Sequence, residues 1–180
     1  IIEDYGKGVV TQGVVDRIAA AAAASGVPLG LDPKDNENLK VPHLTLATPN
    51  YKEACHAAGI PETDLPDHPA DSPTLQAVAA ELKRKWNTEL LVITLGAHGM
   101  YLVPRSGPPR VLPTRAREVF DVSGAGDTVI ATAMLALAAG VEGERAAFLA
   151  NVAAGVVVGK AGTATCSPGE LLAAMDEARE

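Results

Sequence analysis

Short apolar runs alternate with longer helical patterns along the chain, and this alternation restricts the possible folds more than any other feature. The runs at 29–32, 44–48 and 90–95 have the length and composition of buried strands. Between them lie segments with helix start and stop residues, such as Thr11 before the first helical pattern and Gly26 after it. Strands that alternate with helices form βαβ units, so the sequence predicts an α/β fold with a mostly parallel sheet.

The second half of the chain adds a hairpin and three helices to this pattern. Residues 100–103 and 110–112 flank a proline-rich segment and are predicted to pair as a hairpin. Helices are then predicted at 125–139 and 142–158. A last helix is predicted to open at 167–170, where Ser and Glu are spaced as in a capping box.

Length, charge and cysteine content narrow the class of protein. The 180 residues suit one domain spanning 1–180. With 15 Lys and Arg against 22 Asp and Glu, the net charge of −7 argues against a nucleic-acid partner, which needs a basic face. Cys55 and Cys166 have no partners at metal-ligand spacing, which favours a reducing compartment, the cytoplasm. The apolar runs fall short of the roughly 20 residues of a membrane helix, so no membrane partner is expected.

The most informative motif is DVSGAGDT at residues 121–128, immediately before an alanine-rich helix. Two glycines allow a tight turn whose N–H groups, with the helix dipole behind them, can bind an anion. Asp127 would then stand in the first helical turn, where a carboxylate can accept the proton of an attacking hydroxyl. Taken alone, this pattern is more often a plain glycine turn followed by an acidic first-turn residue.

Two further candidates lie where predicted strands end. Asn50 and Glu53 fall on one face at a helix start and could bind the water shell of Mg²⁺, although a plain capping pair has the same spacing. The segment 94–100 contains Gly96 and Gly99, which would permit close approach of a nucleotide. The same glycines are equally compatible with a simple hairpin turn.

Taken in order, these motifs resemble those of the ribokinase-like (PfkB) carbohydrate kinases. The matching patterns are Asn-x-x-Glu at 50–53, Thr-x-Gly-x-x-Gly at 94–99, Gly-Ala-Gly-Asp at 124–127 and Asn151 in the following helix. Within that superfamily the chain is most similar to the D-glycero-β-D-manno-heptose-7-phosphate kinases of lipopolysaccharide-precursor synthesis. The segments that carry this closer similarity are 4–9, 32–34, 116–122 and 151–160. Ser123 departs from these kinases, which usually have Thr there, but it keeps the hydroxyl.

The resemblance implies a three-layer α/β/α fold and an ATP-dependent phosphorylation of a sugar hydroxyl. The expected acceptor is O1 of heptose 7-phosphate, which makes ATP and a phosphorylated sugar the partners. Asp127 would be the catalytic base, and the amides of Gly124, Ala125 and Gly126 would stabilise the transferring phosphoryl group. The expected nucleotide-binding residues are Asn50, Thr94, Gly96, Gly99, Asn151 and Lys34.

Two cations are implied as well. Glu53 would hold Mg²⁺ through water. A monovalent cation, K⁺ in this interpretation, would lie between two loops. The residues expected around it are Asp121, Ser123, Val157, Lys160 and Gly162.

The resemblance also indicates what the chain would lack. It places the first strands, the small β lid and most sugar contacts of the family before Ile1, so the 180 residues alone are expected to be an inactive nucleotide-binding portion. An uncovered sheet edge could pair with a second copy in a homo-oligomer. Two alternatives stay open: a ribose, fructose or nucleoside kinase of the same family, and a nucleotide-binding module without catalysis.

Overall fold

A six-stranded sheet forms the centre of the computed structural model, which describes residues 1–34, 39–116 and 119–177. The strands lie side by side in chain order: β1 (Ile2–Glu3), β2 (Gly30–Asp32), β3 (Leu46–Ala47), β4 (Leu90–Thr94), β5 (Met100–Pro104) and β6 (Arg110–Leu112). The first four are parallel, whereas β5 is antiparallel to both β4 and β6. The mostly parallel sheet and the hairpin predicted from the sequence are therefore confirmed.

Helices cover both faces of the sheet and complete three layers. They are α1 (Gln12–Ser25), α2 (Tyr51–Ala58), α3 (Pro73–Trp86), α4 (Ala125–Ala138), α5 (Gly143–Val158) and α6 (Pro168–Glu177). The first three pack on one face, and α4 and α5 pack on the other. Within the described ranges, no helix combines the length and apolar character needed to cross a membrane.

The two sides of β4 show why its residues before Thr94 are all apolar. Leu91 and Ile93 join the core formed with α1, α2 and α3, whereas Leu90 and Val92 join the core formed with α4 and α5. Because successive side chains of a strand point to opposite faces, a strand covered on both faces buries every residue.

The helix ends follow the capping residues that the sequence shows. The Val14 amide donates to Thr11 Oγ1, and α1 ends at Gly26 with a φ of 63°, in the left-handed region that glycine adopts without strain. At the start of α6, Ser167 and Glu170 form the predicted capping box. One strand is shorter than predicted: the sequence suggests a strand at 44–48, whereas β3 comprises only Leu46–Ala47.

Replacing Leu46 tests the core between the sheet and α4. Its side chain is fully buried, so Leu46→Ala should lower the free energy of unfolding by about 2–5 kcal/mol through lost apolar contact and a residual cavity. Leu135→Ala is the matched control, since Leu135 on α4 is 74% exposed. Urea denaturation of both variants makes the comparison, and equal losses would contradict this assignment of the core.

Candidate active site

The ends of the parallel strands bring polar residues to one edge of the sheet. Glu3 ends β1, Asp32 ends β2, and Thr94 ends β4. Asn50 follows β3 and forms an isolated parallel bridge with Thr94, while the Thr94 amide donates to the carbonyl of Pro49 at 3.0 Å. Because the carboxyl ends of parallel strands meet at one edge, residues distant in sequence become neighbours there.

The glycine motif opens a helix at the same edge. Gly124 has a φ of 79°, α4 begins at Ala125, and Asp127 lies in its first turn, as predicted. The first amides of a helix have no acceptor within the helix, so this turn offers donors to an anion. The Ala125 amide, however, points to the carbonyl of Val122 at 3.2 Å, so it must leave that carbonyl before it can bind an anion.

Three carboxylates meet beside this turn. One oxygen each from Glu3, Asp32 and Asp127 lies within 4.8 Å of the other two, and we call these residues the carboxylate cluster. The Tyr5 hydroxyl donates to Asp127 Oδ2 at 3.2 Å. Like charges at this distance disfavour full ionisation, and oxygen ligands of this kind suit a hard cation such as Mg²⁺.

Burial has the largest effect on Asp32. It raises the pKa of that carboxyl to about 7, and the negative charges of Glu53, Glu3 and Asp127 act in the same direction. The Thr48 hydroxyl, which donates to Asp32 Oδ1 at 3.0 Å, opposes the rise. The pKa of Glu3 is also raised, first by burial and then by Asp127. Asp32 therefore keeps its proton up to about neutral pH.

Asn50 and Glu53 form a complete capping box at the start of α2. The Glu53 amide donates to Asn50 Oδ1, and the Asn50 amide donates to Glu53 Oε2, both at 2.9 Å. The Lys34 ammonium lies 3.0 Å from Glu53 Oε1. The structure thus shows that Asn50 and Glu53 cap α2. The binding of Mg²⁺ by Glu53 and of a phosphate by Lys34 stay predictions. The carboxylate chemistry and the nearby Asp32 are compatible with a magnesium site.

A cavity of about 480 Å³ lies next to the start of α4. It brings together four residues that sequence analysis assigned to the nucleotide and two from the glycine motif: Thr94, Gly96, Gly99, Asn151, Ala125 and Gly126. Apolar side chains such as Met100, Val129 and Val158 form much of the remaining lining. An apolar cavity with a few polar groups suits a flat base, and it leads to a turn that suits phosphates.

The residues expected around a monovalent cation come from two loops that meet. The Asp121 carboxylate accepts from the Ser123 amide at 2.9 Å, and hydrogen bonds from Ser123 and then from the Gly162 amide lower the pKa of Asp121. The Lys160 amide donates to the carbonyl of Val157 at 3.0 Å. The loops therefore lie together as the resemblance implies, and their binding of K⁺ stays a prediction.

Sequence analysis did not assign Glu3, Tyr5 or Asp32 to the site. A signal was present, since Glu3 and Asp32 end the first two strands of a predicted parallel sheet, where ligand sites usually form. Tyr5 follows two residues after Glu3. The sequence did not indicate that Asp127, in the first turn of α4, lies beside Glu3 and Asp32.

An α/β fold with an anion-binding helix start, a carboxylate in its first turn and an adjoining cavity has the features of a phosphotransferase site. The family model for pfkB family carbohydrate kinases matches residues 8–170 of the chain. The chain therefore belongs to the pfkB family of carbohydrate kinases, as the motifs suggested.

Individual relatives give a closer similarity. The chain is 43% identical over 173 residues to a protein of Citrifermentans bemidjiense named bifunctional protein HldE, a match that covers 96% of this chain and 34% of that protein. It is 45% identical over 179 residues to the bifunctional protein HldE of Caulobacter vibrioides, covering 99% of this chain and 36% of that protein. The chain thus spans about a third of the length of these relatives.

Solved structures confirm the ribokinase-like fold. Arabidopsis thaliana ribokinase, solved with ribose and ATP, superposes with a TM-score of 0.75 at 21% identity, over 92% of this chain and 53% of that one. Phosphofructokinase-2 from Escherichia coli, solved in complex with potassium, gives a TM-score of 0.74 at 19% identity, over 95% of this chain and 54% of that one.

The raised pKa of Asp32 predicts a pH-dependent stability. The folded state holds this proton up to pH about 7, whereas the unfolded state loses it near pH 4, so rising pH destabilises the fold across that interval. Asp32→Asn removes the effect and should be more stable than the natural protein at pH 8 by roughly 4 kcal/mol, with little difference at pH 4.

Denaturant unfolding at several pH values measures this difference, with Asp64→Asn in the exposed loop before α3 as the control. A stability difference that stays constant from pH 4 to pH 8 would show that Asp32 ionises normally.

Proposed function

We propose that the natural protein transfers the γ-phosphoryl group of ATP to a sugar hydroxyl, and that the acceptor is O1 of D-glycero-β-D-manno-heptose 7-phosphate. The product would be the 1,7-bisphosphate, an intermediate on the route to ADP-heptose. Family membership and the similarity to HldE proteins support this assignment. The observation that carries it is the position of Asp127, next to Gly126 of the cavity lining and within the carboxylate cluster.

The nucleotide would lie between the cavity and the start of α4. Its base would contact the apolar lining, and its phosphates would extend toward the amides of Gly124, Ala125 and Gly126. These amides would stabilise the charge on the transferring phosphoryl group. Such electrostatic stabilisation is a main source of rate acceleration in phosphoryl transfer. The Ala125 amide takes part once it leaves the Val122 carbonyl.

Asp127 would act as the base for the acceptor. Its carboxylate takes the proton of the attacking hydroxyl while that oxygen bonds to the γ-phosphorus, and the bond from the γ-phosphorus to the leaving oxygen of ADP breaks. The Tyr5 hydroxyl, which donates to Asp127 Oδ2, holds this carboxylate in one orientation.

Two cations complete the proposed site. Mg²⁺, when bound, neutralises charge on the nucleotide phosphates, and Glu53 with Asn50 would hold it through water, close to Asp32. Asp121 and Ser123, with carbonyl oxygens around Val157, Lys160 and Gly162, would hold K⁺. The contact of Asp121 with Ser123 and Gly162 supports the second assignment.

A panel of acceptors tests the substrate. The natural full-length protein is incubated with γ-labelled ATP and either heptose 7-phosphate, ribose, fructose 6-phosphate or adenosine, and labelled products are separated. We expect the highest kcat/KM with heptose 7-phosphate. A preference for another sugar would reassign the acceptor within the family, whereas ATP binding without any transfer would indicate a non-catalytic module.

Replacing Asp127 tests the proposed base. Asp127→Asn keeps the size of the side chain but cannot accept the proton, so turnover should fall by roughly 100-fold or more while ATP affinity stays within a few fold. Steady-state kinetics and calorimetry of ATP binding measure the two quantities. Asp64→Asn is the control, and turnover near the natural value in Asp127→Asn would remove Asp127 from this role.

Replacing Glu53 tests the magnesium assignment. Gln keeps an acceptor for the Asn50 amide, so α2 should stay capped in Glu53→Gln while the charge is lost. The Mg²⁺ concentration at half-maximal rate should rise several-fold, more than the KM of the sugar changes. Exposed Glu62, changed to Gln, is the control. A change confined to the KM of the sugar would instead place Glu53 in the acceptor site.

A further inference from the structure

One face of α5 contacts the segment that leads from β6 to the glycine motif. Phe148, Asn151, Gly155 and Val158 are spaced by three, four and three residues, which places them on a single side of the helix. We call residues 113–116 of the neighbouring segment the wall segment, because Thr114 and Ala116 line the nucleotide cavity.

Each position of this helix face contacts the neighbouring segment differently. The Arg115 guanidinium lies over the Phe148 ring, 5.4 Å from its centroid. Further along the chain, the carbonyl of Val158 accepts hydrogen bonds from the amides of Phe120 and Asp121, at 2.8 and 3.2 Å. Helix α5 thus contacts this part of the chain at Arg115 and again at Phe120 and Asp121.

Gly155 lets the wall segment approach the helix backbone. A Cβ at this position would lie 3.0 Å from the carbonyl carbon of Arg115, 3.1 Å from its oxygen and 3.2 Å from the Ala116 amide nitrogen. These atoms are backbone, so a side chain at 155 must move the segment itself by a few tenths of an ångström. Glycine in a helix interior costs about 1 kcal/mol relative to alanine, and this close approach gives the glycine a purpose.

Asn151 fixes the same segment by a hydrogen bond. Its side chain is 4% exposed, and its Nδ2 donates to the carbonyl of Pro113 at 2.8 Å. A buried amide is costly to leave unpaired, so this bond sets where Pro113 can lie.

Gly99 closes the other side of the wall segment. Its φ of 88° is in the left-handed region, and a Cβ there would lie 2.1 Å from the Leu112 carbonyl oxygen and 2.6 Å from the Thr114 amide nitrogen. The wall segment therefore lies between the turn after β4 and the face of α5, with no space for a side chain at Gly99 and a tight contact for one at Gly155.

We propose that Asn151 and Gly155 are positioning residues for the nucleotide: they hold the wall segment at the depth that sets the width of the cavity, and thus the fit of the base. The inference rests on the proposed function, since it requires a nucleotide in this cavity. It gives Asn151 a different role from the one expected from the sequence: Asn151 acts on the nucleotide through the backbone at Pro113 and not as a direct ligand.

Graded substitution of Gly155 tests the proposal in the natural full-length protein. Gly155→Ala should weaken the binding of ATP with Mg²⁺ about fivefold, and Gly155→Val should weaken it further. The KM of ATP should rise in parallel, while kcat at saturating ATP and the KM of the sugar change less than about twofold. Calorimetry and steady-state kinetics measure these quantities.

Gly13→Ala is the matched control, because Gly13 is also a helical glycine but a Cβ there meets nothing within 4 Å. Thermal unfolding shows which variants fold, and Gly155→Ala alone decides the result if the Val variant does not. ATP affinity of a folded Gly155→Ala variant within twofold of the natural protein would overturn the inference and leave the proposed function intact. A natural protein that binds no ATP would overturn both.

A double-mutant cycle distinguishes positioning from direct contact. If Asn151 and Gly155 act through the wall segment, Asn151→Ala combined with Gly155→Ala should weaken ATP binding by less than the product of the single effects. Asn151→Ala should also weaken the binding of ATP and the binding of GTP by the same factor. Independent effects, together with a loss specific to ATP, would show that Asn151 contacts the adenine base and would overturn the proposal.

Discussion

Mutual repulsion among Glu3, Asp32 and Asp127 is the interaction that the fold must overcome to form this site. The backbone of each carboxylate is placed by its own element, at the ends of β1 and β2 and in the first turn of α4, so the fold itself brings the three side chains together. Apolar cores on both faces of the sheet supply the stability that offsets this crowding. The proton that Asp32 keeps up to about neutral pH, together with the hydroxyl donor Thr48, reduces the remaining repulsion.

Local signals made much of the architecture predictable from the sequence. Thr11, Gly26 and Ser167 mark helix ends because a cap depends only on residues within one turn. The start of α4 follows for the same reason, since Gly124 supplies the left-handed conformation that precedes the helix. Four residues assigned to the nucleotide through the family resemblance do line one cavity, because strand ends and turns in this fold class meet at a common edge.

Contacts between distant segments were beyond the reach of the same reasoning. Hydrophobic periodicity shows which face of an element is buried, but not which element covers it, so nothing placed Asp127 beside Asp32. The close approach of Arg115 to Gly155 depends on how deeply a loop lies on a helix, a quantity that residue types do not encode. The orientation of a single amide, such as that of Ala125 toward Val122, also depends on backbone details finer than a motif.

The residues that line the cavity all fall between Thr94 and Val158, whereas the carboxylate cluster combines that part of the chain with the first 32 residues. The cavity lining and the Glu3 and Asp32 part of the cluster can therefore be changed by separate substitutions. Substitutions in the early strands can alter what approaches Asp127 without disturbing any residue that lines the cavity. On the function proposed above, such substitutions would change the acceptor side of the site while the contiguous stretch that lines the cavity stays as it is.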